Sequence, residues 1–229
     1  FMEYHPKLRP MDSPTDGIFF AGACQGPKDI PASVAQGSAA AARASRILHS
    51  DEWHIEPTVA VVWPDRCVSA QDKSCGICSR ACPYSAIDYT QGKAAEVITA
   101  KCHGCGACVG ECPHDSITQL HYTDAEILAQ IRTLLATEPE KKILALRCHW
   151  CSYGGADLAG TSHFEYSANE RGIKVMCSAR MDADFIYEAY RLGAGAVLFS
   201  GCHPQDCHYI TGQVSGSKRA NRLKTIFER

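Results

Sequence analysis

The sequence predicts a multi-domain α+β chain. Three observations carry this. Two runs of four cysteines, each closed by Cys-Pro, occupy residues 67–83 and 102–113. Short apolar runs alternate with helical stretches through residues 123–229. Ahead of both, residues 1–55 hold one apolar run, a glycine-bounded turn and a helix of small residues. The expected boundaries are 1–55, a fragment; 56–122, a cysteine-rich lobe; and 123–229, a small parallel-sheet α/β domain.

The 229 residues include 14 cysteines, about 6% of the chain, and carry a formal net charge of −2. That density lies below a disulfide scaffold but well above an ordinary cytosolic enzyme. The start of the chain shows no basic stretch followed by an apolar core, so no secretory leader is expected. No apolar run approaches the roughly 18 residues that span a bilayer. Dense thiols without secretion point to metal ligation in a reducing cytoplasm. The near-neutral charge gives no case for nucleic-acid binding.

In residues 1–55, Gly17–Ala21 (GIFFA) reads as a short buried strand. Gly22-Ala-Cys-Gln-Gly26 reads as a tight turn. Pro31 suits the first turn of a helix, where its missing N–H is no loss, and Ser33–Leu48 reads as that helix. Gly37, Ser38 and the alanines after it make one face small enough for close backbone approach. The segment resembles the last strand–turn–helix of pyridine-nucleotide-disulfide-reductase-type flavoproteins: Thr15, Gly17, Ile18, Phe19, Ala21 and Gly22 match. Ala23 stands where those enzymes place a ribityl-binding Asp. The resemblance implies a partial FAD site, with Gly22, Asp29, Ile30 and Gln36 as candidate contacts. No G-x-G-x-x-G follows a strand anywhere in the chain, so the dinucleotide half of such a site is absent. The chain is therefore expected to be the C-terminal part of a longer protein, or one product of a split gene. Cys24, alone in its turn, reads as a small packed residue rather than a redox partner.

In residues 56–122, Thr58–Trp63 reads as a strand, Ala86–Tyr89 and Ala94–Val97 as a hairpin turning at Gln91-Gly92, and Ile117–Leu120 as a strand closing the sheet. Each Cys-Pro precedes one of these strands, as a motif used twice would require. The second cysteine run, Cys102-x2-Cys105-x2-Cys108-x3-Cys112-Pro113, resembles bacterial-type ferredoxins. There three close cysteines hold one [4Fe-4S] cube and the fourth reaches to the other. Carried over, Cys67, Cys75, Cys78 and Cys112 hold one cluster, and Cys102, Cys105, Cys108 and Cys82 the other. The first run departs from the pattern, with seven residues between Cys67 and Cys75. The polar insert VSAQDKS reads as a surface loop, and Cys67 is the ligand it puts in doubt. Gly76, Gly104, Gly106 and Gly110 leave backbone N–H groups free to approach sulfur. Disulfides do not explain two runs ending in Cys-Pro, and zinc takes close pairs rather than a triplet with a reach across.

In residues 123–229, Thr123-Asp-Ala-Glu126 is a capping box opening a helix to about Ala136. Strands are expected at Lys142–Leu146, Ile173–Met176 and Ala196–Phe199, ending at Cys148, Cys177 and Cys202, with a helix over Asp182–Leu192 stopped by Gly193. This β-α-β-α-β order predicts a parallel sheet. Its carboxyl edge, where such sheets bind ligands, collects Cys148, Cys151, Cys177, Cys202 and Cys207. Five thiols suffice for a four-thiolate site with one to spare. A four-cysteine zinc site is the alternative, and His149, His203 and His208 leave a mixed Cys/His site open. Arg180, in C-S-A-R, either places a positive charge near that site or makes an ordinary surface ion pair.

The words CHWCSYGGADLAG, VMCSAR and SGCHPQDCHY resemble the delta subunit of methyl-viologen-reducing hydrogenase, which implies a [2Fe-2S] cluster on four of the five cysteines. GACQGPKDIP and the double cysteine motif resemble the C-terminal end of the A component of heterodisulfide reductase. Together the resemblances imply an iron–sulfur relay subunit of a flavin-based, electron-bifurcating oxidoreductase used in methanogenesis. Electrons would come from a hydrogenase, formate dehydrogenase or deazaflavin-oxidising subunit, with ferredoxin and a disulfide as acceptors. Other heterodisulfide reductase subunits are expected partners, a homodimer is left open, and no catalytic residue is assigned. Two rivals are weighed against this: a self-contained flavin-dependent disulfide reductase, and a ferredoxin module joined to a zinc-stiffened interaction domain.

Overall fold

A computed structural model of the chain describes residues 1–15, 17–49, 57–71 and 74–227. It forms two units, Phe1–Glu56 and Pro57–Arg229. The boundary expected near residue 55 falls among residues outside the described set.

The first unit is built on helix α1 (Ile30–Leu48). It starts earlier than Ser33 because Asp29 caps it, its carboxylate accepting from Ala32 N at 2.8 Å, and Pro31 occupies the first turn. The predicted strand Gly17–Ala21 does not form. Ile18 is 52% exposed, and the run is held by an isolated bridge from Phe19 to Asp12. A strand needs a paired neighbour along its length for its backbone groups, and the loop at Asp12 meets it at one point. Gly22–Gln25 forms the expected turn.

The second unit begins with strand β1 (Ala60–Val62), helix α2 (Ile77–Ala81), strands β2 (Ile87–Asp88) and β3 (Glu96–Val97), helix α3 (Ala107–Gly110) and strand β4 (Ile117–Gln119). Strands β2 and β3 pair as the predicted hairpin. Strand β4 does not close a sheet with them. It pairs antiparallel with β1, Val62 facing Ile117, so the lobe has two two-stranded ribbons. The two cysteine runs repeat one backbone. Gly76 (φ +63°) and Gly106 (φ +74°) cap α2 and α3 in the left-handed region. Ser85 and Asp115, at matching positions beyond Cys82 and Cys112, also have positive φ. At Gly104, an added Cβ would lie 2.0 Å from the Thr58 carbonyl oxygen, so no side chain fits there.

The α/β part follows: α4 (Asp124–Leu134), β5 (Ile143–Cys148), α5 (Gly154–Thr161), β6 (Glu170–Val175), α6 (Ala183–Arg191), β7 (Ala196–Ser200) and α7 (Gly212–Phe227). The capping box at Thr123 and Glu126 is complete. The three strands are parallel in the order β6-β5-β7. Leu144, Leu146, Ile173 and Val175 on the sheet pack with Ile127, Ile131 and Phe185 in the core. Helix α7 has no apolar stripe to announce it. Its buried Gly212 and Gly216 let its backbone approach Cys177 and Ser178. From α7, Arg219 joins the halves of this unit. Its Nη1 donates to Ala179 O (2.8 Å) and Met181 O (2.9 Å), and its Nη2 to Gly110 O (2.6 Å) and Glu111 Oε1 (2.8 Å).

Candidate metal centres

Cys78 lies in the first turn of α2 and Cys82 just past its end, so this short helix carries the chain from one cavity to another. Helix α3 does the same between Cys108 and Cys112. As a result, one cavity is lined by Cys67, Cys75, Cys78 and Cys112, beside Tyr89 and Ile117. A second is lined by Cys82, Cys102, Cys105 and Cys108, beside Tyr84 and His103. Each takes three cysteines of one run and the last of the other. The insert after Cys67 is less of a surface loop than its polarity suggests. Ser69 is buried, and its carbonyl accepts from Gly92 N (3.0 Å) in the β2–β3 turn. Asp72 and Lys73 of the insert lie outside the described residues.

The third set collects at the carboxyl edge of the parallel sheet. Cys148 ends β5, Cys151 sits in a π-helical turn over His149–Tyr153, Cys177 and Cys202 follow β6 and β7, and Cys207 precedes α7. Cys202 Sγ lies 2.9 Å from Cys151 Sγ and 3.7 Å from Cys148 Sγ. A Cβ added to Gly212 would lie 2.2 Å from Cys177 Sγ and 3.4 Å from Cys207 Sγ, so that glycine makes room for two sulfurs. The neighbouring histidines make ring and backbone contacts, with His149 Nδ1 buried and without a hydrogen-bond partner among the described residues. His208 stacks on Trp150 at 3.8 Å, His149 meets the same ring edge-on at 4.8 Å, and His203 Nδ1 is 3.1 Å from Pro204 O.

The electrostatics of these thiols suit a positively charged core. Burial first, then neighbouring thiols, pushes Cys105 up to about 11 and raises Cys108 further. Burial and then Cys202 push Cys148 up to about 11 and Cys151 to about 12. Burial raises Cys177 as well. Gathered thiolates repel one another in a poorly hydrated place, and a cationic core relieves that repulsion as it displaces the protons. All 14 cysteines are free thiols. Among the described residues, no group of three or more His, Cys, Asp or Glu is placed to hold a metal ion on its own. The all-sulfur donor sets fit an inorganic iron–sulfur core.

The second and third sets share a wall. Cys105, Ala107, Cys177, Ala179 and Tyr209 form one buried cluster, with Tyr84, Trp150 and Cys207 packed against it. Trp150 Nε1 donates to Tyr209 Oη at 2.9 Å. Trp150 and Tyr209 fall inside the words CHWCSYGGADLAG and SGCHPQDCHY, but no role for these aromatics follows from the sequence. Their one signal is placement, since Tyr84, Trp150 and Tyr209 each lie within two residues of a cysteine.

The flavin candidates lie on the turn and at the start of α1. Gly22 N donates to Gln36 Oε1 (2.9 Å), Asp29 caps α1, and Ile30 is 80% exposed. An open hollow of about 790 Å³ in the first unit is lined by Arg9, Asp12, Thr15, Phe19, Arg43 and Arg46 among others, and by none of those four. Cys24 is exposed rather than packed, its Sγ donating to Ala21 O at 3.2 Å. Arg180 is no ordinary surface residue: its side chain is fully buried, and it pairs with the half-exposed Asp124 at 2.7 Å.

Residues 143–229 match the family described as methyl-viologen-reducing hydrogenase, delta subunit, and residues 57–123 match the LdpA Fe-S cluster-binding domain. Over all 229 residues the chain is 41% identical to the A component of the ferredoxin:CoB-CoM heterodisulfide reductase of Methanosarcina mazei, and covers 28% of that protein. It is 50% identical over 141 residues, 62% of this chain, to the A component of the H(2):CoB-CoM heterodisulfide,ferredoxin reductase of Methanothermobacter marburgensis, covering 20% of it. It is 38% identical over 92 residues, 40% of this chain, to the iron-sulfur D component of the F420-non-reducing hydrogenase of Archaeoglobus profundus, covering 67% of it. The chain thus spans under a third of the length of its heterodisulfide reductase relatives. Among the described residues no helix is long and apolar enough to cross a membrane.

Proposed function

Because this chain belongs to the family of heterodisulfide reductase A components, in the form that carries a hydrogenase delta-type domain, we propose that it is an electron-relay segment of such an oxidoreductase. On this reading Cys67, Cys75, Cys78 and Cys112 hold one [4Fe-4S] cluster, and Cys82, Cys102, Cys105 and Cys108 a second. Four of Cys148, Cys151, Cys177, Cys202 and Cys207 hold a [2Fe-2S] cluster. The single observation that carries the reading is the reciprocal lining of two cavities by four cysteines each, three from one run and one from the other.

Such clusters, when bound, each exchange one electron without a change of ligands. The residues supply the rest. Cys105 and Cys177 are buried in one packed cluster, which keeps water out of the wall between two of the sites. Gly104 and Gly106 keep side chains out of the second cysteine loop. On the same reading the first unit supplies part of an FAD site. The whole assembly takes electrons from a hydrogenase, formate dehydrogenase or deazaflavin-oxidising partner and divides them between ferredoxin and a disulfide. That last part rests on family membership and on the turn residues Thr15 to Gly22.

Iron, acid-labile sulfide and zinc are to be counted per chain after anaerobic reconstitution. About ten irons and about ten sulfides, with no zinc, are expected from these cluster types. About eight irons with one zinc would remove the [2Fe-2S] assignment. A chain without labile sulfide would remove the relay.

A further inference from the structure

Arg180 is the largest of the fully buried side chains among the described residues, and it sits where a cation is costly. It belongs to the α/β part, in the turn Ser178–Arg180 just after Cys177, yet it packs on the cysteine lobe. A Cβ added to Gly106, between Cys105 and Cys108, would lie 2.6 Å from Arg180 Cδ and 3.0 Å from its Cβ. The same point lies 2.5 Å from Gln119 Oε1. The guanidinium is only partly satisfied. Nη2 donates to Tyr122 O (2.8 Å) and Asp124 Oδ1 (2.7 Å), while Nε and Nη1 have no hydrogen-bond partner among the described residues. Gln119 Oε1 has none either. The Phe185 ring, 5.2 Å from Cζ, covers another side. Asp124, the carboxylate paired with the cation among the described residues, is itself 44% exposed and therefore partly screened.

A fully buried cation with three of its five N–H donors unmet and a half-exposed counter-ion is poorly explained by protein groups alone. A four-thiolate iron–sulfur site carries net negative charge, and more when reduced. We propose that Arg180 sets the reduction potential of the site at Cys82, Cys102, Cys105 and Cys108, its buried positive charge favouring the reduced form. This rests on the cluster assignment above. Since Arg180 comes from the α/β part, that potential depends on the docking of the cysteine lobe against it.

The test is an EPR-monitored reductive titration of the reconstituted 229-residue chain, with iron counted in every sample. Cys105→Ala and Cys75→Ala identify which [4Fe-4S] signal belongs to which cavity. In Arg180→Met the Cys105-dependent signal is expected at lower potential, by about a tenfold change in the one-electron equilibrium or 59 mV, with the Cys75-dependent signal in place. Arg180→Lys restores part of the shift, which a purely packing role would not. Asp124→Asn, which removes a partly exposed carboxylate, moves the same signal upward. If Arg180→Met takes up no iron, Asp124→Asn decides alone. Clusters present in full with the Cys105-dependent signal unmoved, or with both signals moved equally, overturn the role of Arg180. Absent clusters in the unaltered chain overturn the relay reading instead.

Discussion

Glu188 shows how a single side chain ties two elements and writes itself into the pH response. Its carboxylate, on α6, accepts from Arg191 Nε (2.6 Å) on the same helix and from Arg132 Nε (2.7 Å) on α4. Those bonds, from Arg191 first and then Arg132, hold its pKa down at about 2, against an ordinary value of 4.5. A depressed carboxyl stabilises the fold fully above its unfolded value, and the contribution is lost as pH falls through the folded one. Glu188→Gln is therefore expected to lower the urea midpoint at neutral pH. The gap from the unaltered chain should close as the pH drops from 4.5 towards 2. A gap of constant size across that window would mean the carboxylate's charge plays no part. Nothing in the local sequence pointed to this pairing, because Arg132 and Glu188 are far apart in the chain and meet when α4 and α6 pack.

At the scale of elements, α7 is the clearest case of a helix whose role outweighs its sequence signal. It packs by small residues, Gly212 and Gly216, and by Arg219, whose five-donor fork reaches three backbone carbonyls and a carboxylate. Arg219→Met keeps the stem and removes the donors. We expect a loss of about 2–4 kcal/mol in urea unfolding, since buried acceptors are left unpaired. Hydrogen exchange should quicken at residues 110–112 and 179–181 while β5 stays protected. Uniform quickening would place Arg219 in the general stability of the unit rather than at this seam. The elements that were legible carried local instructions: the capping box of α4, the stop of α6 before Gly193, the hairpin around Gly92, and three strands that end at or within two residues of a cysteine. The strand expected at Gly17–Ala21 failed for the opposite reason. Apolar character does not make a strand without a partner edge.

For the molecule as a whole, the division at residues 56 and 57 has a consequence. All thirteen cysteines of the proposed centres lie beyond it, and only Cys24 lies before it. Residues 57–229 produced alone are expected to retain the iron, the sulfide and all the EPR signals of the full 229 residues. Loss of any one cluster's share of iron would show that the first unit supports that site.

Much of the candidate site could be read from cysteine spacing, because a triplet of thiols within seven residues is brought together by a single loop and needs no distant contact. That the sheet is parallel was legible from the alternation of strands and helices; its order, β6-β5-β7, came from the tertiary structure. Two things were beyond local reading: the wall shared by Cys105, Cys177 and Tyr209, and the burial of Arg180 against Gly106. Each depends on side chains far apart in sequence excluding water from the same place, and that is a property of packing, which spacing along a chain does not encode.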